Sequence, residues 1–465
     1  MSKERMPNLS AEISAHTATT SFEQLPAAAM RAAKLSLLDA IGVTLGASGI
    51  GEGCRGFVDL ARDDGGKAQS TIIGFGNVKV AASAAAFANG AMAHALDFED
   101  SHDASLTHPN AATIPAALAM AEALGGASGR DLLTAVATGS DLVCRLGLAL
   151  VANPAEFGWY TPAILGAFGA TAAAGRLLGL SPAQMLDAYS LTLCQATCSM
   201  ELRYSPHSMV RAVRDAFAAR AGVTAALLAS RGVKGFDRPF DGQAGLFALY
   251  ARGQWDPERL TAGLGHTFHG ADVSFKPWPA CRGTHSYIDA ALQLRAETGV
   301  TAEMIDGIVI EVSPVNRMLC EPAEQKRQPQ TAIDAKFSLP FVIGTALHHG
   351  HVDLDLFVDG ALANPEVLTI AGKVRWRVKE DAKPSSALRG SMEIRTLRGN
   401  VYRKSIDHPK GSLKNPLDEA ALIRKFKNCA RHAAAFLHDD QLDETAQAIL
   451  TLDDAGSVEG VMRWL

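Results

Sequence analysis

From the start of the chain to about residue 270, apolar positions recur at the three- and four-residue spacing of helices. The segments are rich in Ala and Leu and are separated by short Gly, Asn or Pro breaks. Ser181-Pro182-Ala183-Gln184 is a capping-box pattern with proline at the first helical position. Ser128 followed by Asp131 is a second helix-start signal. No part of this region alternates like a strand for long. The period changes after about residue 270. In 306–313, Ile308, Ile310 and Val312 alternate with Val309, Glu311 and Ser313, which predicts a strand with one face better buried. In 373–380 the alternation is strict: Val374, Trp376 and Val378 share one face, and Lys373, Arg375, Arg377 and Lys379 the other. The segments 391–398 and 400–406 flank Gly399-Asn400 and predict a hairpin. Helices are predicted near 286–297 and 340–349, and the helical pattern returns from Asp418. The fold class that follows is mainly α. An all-helical domain takes residues 1–270 and 405–465, and a smaller α/β (α+β) domain takes 271–404.

The 465 residues suit two or three domains, and 48% hydrophobic with 20% charged residues is a globular composition. The formal net charge of −5 argues against a dedicated nucleic-acid binder. Aromatics are few, and the abundant small residues predict close helix–helix packing. Residues 373–404 hold ten Lys or Arg against three Asp or Glu, which reads either as the solvated face of a hairpin or as an electropositive wall. The seven cysteines are scattered and form no disulfide framework or paired zinc motif, which fits a reducing compartment. The first residues, MSKERMPNLSAE, lack the apolar core of a signal peptide. The most apolar stretch, 132–152, contains Asp141 and Arg145 and reads as a buried helix. A soluble cytoplasmic protein with no membrane and no nucleic-acid partner is expected.

Thr44–Gly51 (TLGASGIG) has neither the spacing nor the preceding strand of a nucleotide-binding loop. Cys194 and Cys198, four apart, read as small core residues on one helix face. Three segments hold candidate chemistry. The densest is 94–110 (HALDFEDSHDASLTHPN), with His94, Asp97, Glu99, Asp100, Ser101, His102, Asp103 and His108 between two apolar helical stretches. Ionisable groups there cost desolvation unless they pair or line a cleft. A metal site, a structural junction and a catalytic cleft all remain open for it. The second is 275–285 (FKPWPACRGTH), where Pro277 and Pro279 stiffen a loop carrying Lys276, Cys281, Arg282 and His285. The third is Gly158-Trp159-Tyr160-Thr161, leading into a small-residue helix.

Four stretches, 95–109, 166–180, 276–290 and 335–347, resemble the MmgE/PrpD family in sequence and in order. That family includes 2-methylcitrate dehydratase, cis-aconitate decarboxylase and iminodisuccinate epimerase. The resemblance implies a large helical domain built from both chain ends, a smaller α/β lid, a cleft between them, a homodimer, and no metal or organic cofactor. It implies a small polycarboxylate as substrate. It carries an acidic role onto Asp97, a histidine role onto His108 and a lysine role onto Lys276. Ser101 stands where related decarboxylases often have Thr. Three positions depart: Tyr160 and Cys281 replace histidines, and Arg211 lies near a usual lysine. These departures point away from dehydratase and decarboxylase chemistry.

The shared step is removal of a proton α to a carboxylate, which needs fixed positive charge and a tuned base. The leading expectation is an epimerase with Tyr160 and Lys276 as the two proton-transfer groups, Lys276 being tuned by desolvation. Asp97 is expected to orient His108. Arg211 and Arg282 are expected to grip carboxylates, with Ser101, Cys281 and His285 beside them. The alternatives are a 2-methylcitrate dehydratase-like hydro-lyase, a cis-aconitate decarboxylase-like lyase, and a binder without activity.

Overall fold

The computed structural model describes residues 8–205, 208–358, 360–380 and 388–465. The first seven residues, and 381–387 of the basic stretch, lie outside the described residues. The principal helices of the N-terminal part are α1 (Leu9–Thr19), α2 (Ala27–Ile50), α3 (Ala82–Ala95), α4 (Asn110–Ala123), α5 (Gly129–Ala149), α6 (Thr161–Leu177), α7 (Pro182–Leu193) and α8 (Asp215–Ser230). The predicted start signals form. Ser128 caps Asp131, and Ser181 and Gln184 exchange both capping-box hydrogen bonds.

Small residues let these helices approach closely. A Cβ on Gly222 of α8 would lie 2.5 Å from Cβ of Ala170 on α6, and one on Gly139 of α5 would lie 2.7 Å from the Gly169 carbonyl of α6. Helix α6 is therefore packed against both neighbours at backbone distance and also on α4, while α3 packs on α4 and α8. Helices α2 and α5 are long and apolar enough to cross a membrane, but they are mostly buried here. Thr44–Gly51 falls in α2 and its C-cap, so it forms no phosphate loop.

Two features of this region differ from expectation. A short ribbon, β1 (Ser70–Thr71) with β2 (Lys79–Val80), interrupts the helices. Strands of two residues have no room for alternation. Cys194 is exposed and Cys198 half-buried, because α7 ends at Leu193. They do not share a helix face in the core.

The second part contains α9 (His285–Thr298), β3 (Ile305–Val312), α10 (Leu339–His349), β4 (Val374–Val378), β5 (Gly390–Thr396) and β6 (Val401–Ile406). The sheet order is β4-β3-β5-β6, with β3 and β4 parallel and the other neighbours antiparallel. Ile308, Ile310 and Val312 face the core, as does Val374, while Arg375 and Arg377 are exposed. The basic excess is thus largely a solvated face; Arg403 pairs with Glu393 and Lys404 with Glu297. Gly399, at φ +86°, turns β5 into β6. The fold is mainly α with a smaller α/β part.

After the sheet, α11 (Glu419–Ala430) and α12 (Asp439–Leu450) pack on α2. Glycines of α2 make the seat. A Cβ on Gly42 would lie 2.9 Å from Cα of Phe426, and one on Gly49 would lie 2.0 Å from the His432 carbonyl.

Candidate active site

The polar run between α3 and α4 forms a buried loop. Helix α3 ends at Ala95, and Asp97 follows the C-cap at φ +48°, a left-handed conformation that closes helices at this position. The carbonyls just past a helix C-terminus lack intrahelical partners and carry negative partial charge. Three buried lysines from distant segments meet three of them in succession. Lys336 Nζ donates to the Leu96 carbonyl (2.9 Å), Lys276 Nζ to that of Asp97 (2.8 Å) and Lys425 Nζ to that of Phe98 (2.6 Å). Lys425 also pairs with Asp39 at 2.6 Å. An antiparallel bridge between Ser101 and Ser274 joins the loop to the segment carrying Lys276.

The carboxylates of the loop divide their partners. Asp97 Oδ1 accepts from Lys276 Nζ at 2.9 Å. Glu99 Oε1 lies 2.9 Å from Nδ1 of His108 and makes a short contact with Nδ1 of His94. The carboxylate holding His108 is therefore Glu99, where Asp97 was expected. Nδ1 of His108 also lies 3.0 Å from the Asp100 carbonyl, which leaves Nε2 as the ring nitrogen free of this network. Burial works against ionising Glu99, but His94, Lys276 and His108 outweigh it and hold its carboxyl well below the ordinary range. Burial, reinforced by Arg214, lowers the pKa of His94. Asp100 accepts from Ser36 and Asn110, yet burial pushes its carboxyl up to about 7.

Beside this loop is a cavity of about 230 Å³. Asp97, Ser101, His108, Tyr160, Arg211, Cys281 and Arg282 all line it, so the structure brings seven of the nine expected residues to one place. Arg282 makes a two-point pair with Asp103, Nε to Oδ1 and Nη2 to Oδ2, both 3.1 Å. Its Nη1 has no hydrogen-bond partner among the described residues. The guanidinium of Arg211 sits over Phe337, 3.4 Å from the ring centre, and its Nε is also without a hydrogen-bond partner among them. Tyr160 packs against the guanidinium of Arg214 at 4.8 Å. Burial raises the Cys281 thiol pKa, so Cys281 enters the cavity as a neutral group.

Two expected residues stand behind the wall. Lys276 and His285 are both 0% exposed and are absent from the cavity lining. Burial alone would lower the pKa of Lys276, but Asp97 and Glu99 outweigh it and raise it. Lys276 is thus a fixed ammonium, which corrects the picture of a lysine tuned toward neutrality. Burial and the charge of Arg282 hold His285 well below its usual value, and its neutral ring contacts the Ala280 carbonyl at 3.1 Å.

Sequence reasoning assigned no catalytic or substrate-binding role to Glu99, His94, Asp103 and Lys336, and weighed His94 only as a metal ligand with His102, His108 and a carboxylate. The first three belong to the polar run already singled out, and Lys336 to one of the family stretches. Burial depresses the pKa of Lys336 to about 8, as it does that of Lys326 outside the loop. His94, Asp97, Glu99 and His108 each place one ligand-type atom within 4.8 Å of the others. That spacing could hold a cation, but the ammonium of Lys276 already supplies positive charge at Asp97.

Helical part, α/β part and cation-lined cavity together describe a two-domain enzyme architecture. The profile of the MmgE/PrpD N-terminal domain matches residues 11–258, and that of the MmgE/PrpD C-terminal domain matches 278–451. The chain belongs to the MmgE/PrpD family of enzymes. It is 28% identical to cis-aconitate decarboxylase of Homo sapiens over 83% of this chain and 79% of that protein. It is 26% identical to a cis-aconitate decarboxylase-like protein of Aspergillus oryzae over 98% and 96% of the two chains. Cis-aconitate decarboxylase of Aspergillus terreus is 25% identical over 85% and 83%.

Proposed function

We propose that this enzyme is a lyase acting on a small tricarboxylate of the cis-aconitate or citrate type, with His108 as its acid–base group. The observation that carries the reading is the presence of one imidazole, anchored through Nδ1 by Glu99, and the two guanidiniums of Arg211 and Arg282 around the same cavity. Arg211 and Arg282 fit carboxylates by their planar forks. In a decarboxylation the electrons of the broken C–C bond pass into the neighbouring conjugated carboxylate, and His108 returns a proton to carbon. In a dehydration His108 takes the α-proton and hands it to the departing hydroxyl, so that water leaves as the double bond forms. In both, the ammonium of Lys276 and the two arginines offset the charge that builds on the substrate.

The relatives named as cis-aconitate decarboxylases favour a lyase over an epimerase. So does the burial of Lys276, which removes one member of the Tyr160/Lys276 pair from the cavity. Epimerisation would need Tyr160 to work opposite His108. Proton NMR in D₂O with cis-aconitate, citrate, 2-methylcitrate and iminodisuccinate separates these chemistries. The lyase reading predicts a changed olefinic spectrum from a tricarboxylate. Exchange of an α-proton without any new unsaturated or decarboxylated product would replace it with the epimerase.

A further inference from the structure

A second group of ligand-type side chains lies away from the cavity, where α10 ends. The chain there reads His348-His349-Gly350-His351-Val352-Asp353. His348 and His349 close the helix, Gly350 turns the chain at φ +77°, and His351 comes back beside His349. The ring centres of His349 and His351 are 5.9 Å apart, and those of His348 and His349 4.5 Å. A helix C-terminus favours histidines in its last turn, but that does not account for His351 and Asp353 beyond it.

His351 is held at both ring nitrogens. Its Nδ1 lies 3.2 Å from the His349 carbonyl and can only donate there. Its Nε2 lies 3.3 Å from Oδ2 of Asp353. In the neutral ring these last two atoms are both acceptors, so a positive charge must stand between them. That charge is a proton on Nε2 or a metal ion. Asp353 opens the 3₁₀ turn Leu354–Phe357, yet its side chain makes no capping bond, and its Oδ1 has no hydrogen-bond partner among the described residues. The carboxylate is thus given to the imidazole and not to the backbone. Zinc bonds of about 2.0–2.1 Å at the tetrahedral angle separate two ligand atoms by about 3.3 Å and two imidazole centres by about 5–6 Å. His351 and Asp353 have the first spacing, and His349 and His351 the second. A backbone carbonyl on the far nitrogen is the support that metal-binding imidazoles carry.

We propose that His349, His351 and Asp353 form a binding site for a divalent transition-metal ion of the zinc type. Nε2 of His351 and Oδ2 of Asp353 are already at ligand spacing, and the ring of His349 turns to join them. Such a rotation is of the kind that side chains near the surface make freely. Water takes the fourth position. The site is separate from the reaction proposed above and stands or falls without it.

The test is calorimetric titration of the untagged protein with zinc chloride, with magnesium chloride as the control for a cation that prefers oxygen ligands. One equivalent of Zn²⁺ is expected to bind and to raise the melting temperature, and EDTA to reverse both. His351→Gln and Asp353→Asn should each weaken Zn²⁺ binding by at least about tenfold. Their side chains are 59% and 49% exposed, so both variants keep the fold. Absence of Zn²⁺ binding by the wild type overturns the inference, and the charge at His351 is then a proton. Mg²⁺ binding as tight as that of Zn²⁺ overturns it too. So does undiminished Zn²⁺ binding in either variant, which would place the ion elsewhere, as at His94, Asp97, Glu99 and His108.

Discussion

Asp100 shows how much the site depends on single protonation states. It is fully buried, its carboxyl is pushed up to about 7, and its Oδ1 has no partner among the described residues. Between about pH 4 and 7 the folded protein keeps a proton that an unfolded aspartate loses, so wild-type stability falls as pH rises through that window. Asn cannot ionise and offers the same acceptor to Ser36 and Asn110. Asp100→Asn should therefore gain on the wild type from pH 4 to pH 8, by a few kcal/mol at about 1.4 kcal/mol per pKa unit. Denaturant unfolding of both proteins across that range checks it; parallel pH profiles would show that Asp100 is ionised when folded. At this scale the sequence reveals which residues gather but not who pairs with whom. Asp97 and Glu99 are two residues apart in one polar run. The left-handed turn at Asp97 sends one carboxylate to Lys276 and the other to His108, and no periodicity encodes that.

Elements were legible where a pattern had room to repeat. The alternation in β3 and β4 identified their buried faces, and Gly399 marked the β5–β6 turn. The ribbon of β1 and β2 is too short to show alternation, and the end of α7 at Leu193, five residues before Cys198, carries no Gly or Pro to announce it. The docking of α11 on α2 rests on glycines whose purpose appears only in three dimensions. At Gly49 an added Cβ would lie 2.0 Å from the His432 carbonyl, a backbone atom that cannot move alone. Gly49→Ala should destabilise by about 1–3 kcal/mol, the usual cost of overpacking, although alanine is the better helix former. A rise in melting temperature would show that the C-terminal helices give way freely.

Across the whole molecule, the three lysines that hold successive carbonyls of one loop come from the start of the α/β part, its middle and the C-terminal helices. The return of the chain to helix after Asp418 is readable in sequence. The convergence of Lys276, Lys336 and Lys425 is not, because they stand 60 and 89 positions apart. The arrangement makes the site loop a joint between distant parts of the chain. Lys276→Met would leave Asp97 buried without its cation, at a cost of about 3–5 kcal/mol. Adding Asp97→Asn should recover most of that stability without recovering turnover. Recovery of both would mean that Lys276 serves the fold alone.

The claim that organises all of this is that His108, anchored by Glu99, moves the proton. The most direct measurement is the rate of product formation by His108→Gln on the tricarboxylate that the wild type turns over, followed by NMR in D₂O. The account predicts a rate lower by about 10²–10⁴-fold, with binding of the tricarboxylate to Arg211 and Arg282 retained. A rate within about threefold of wild type, below the smallest effect expected of a general acid–base group, would contradict it.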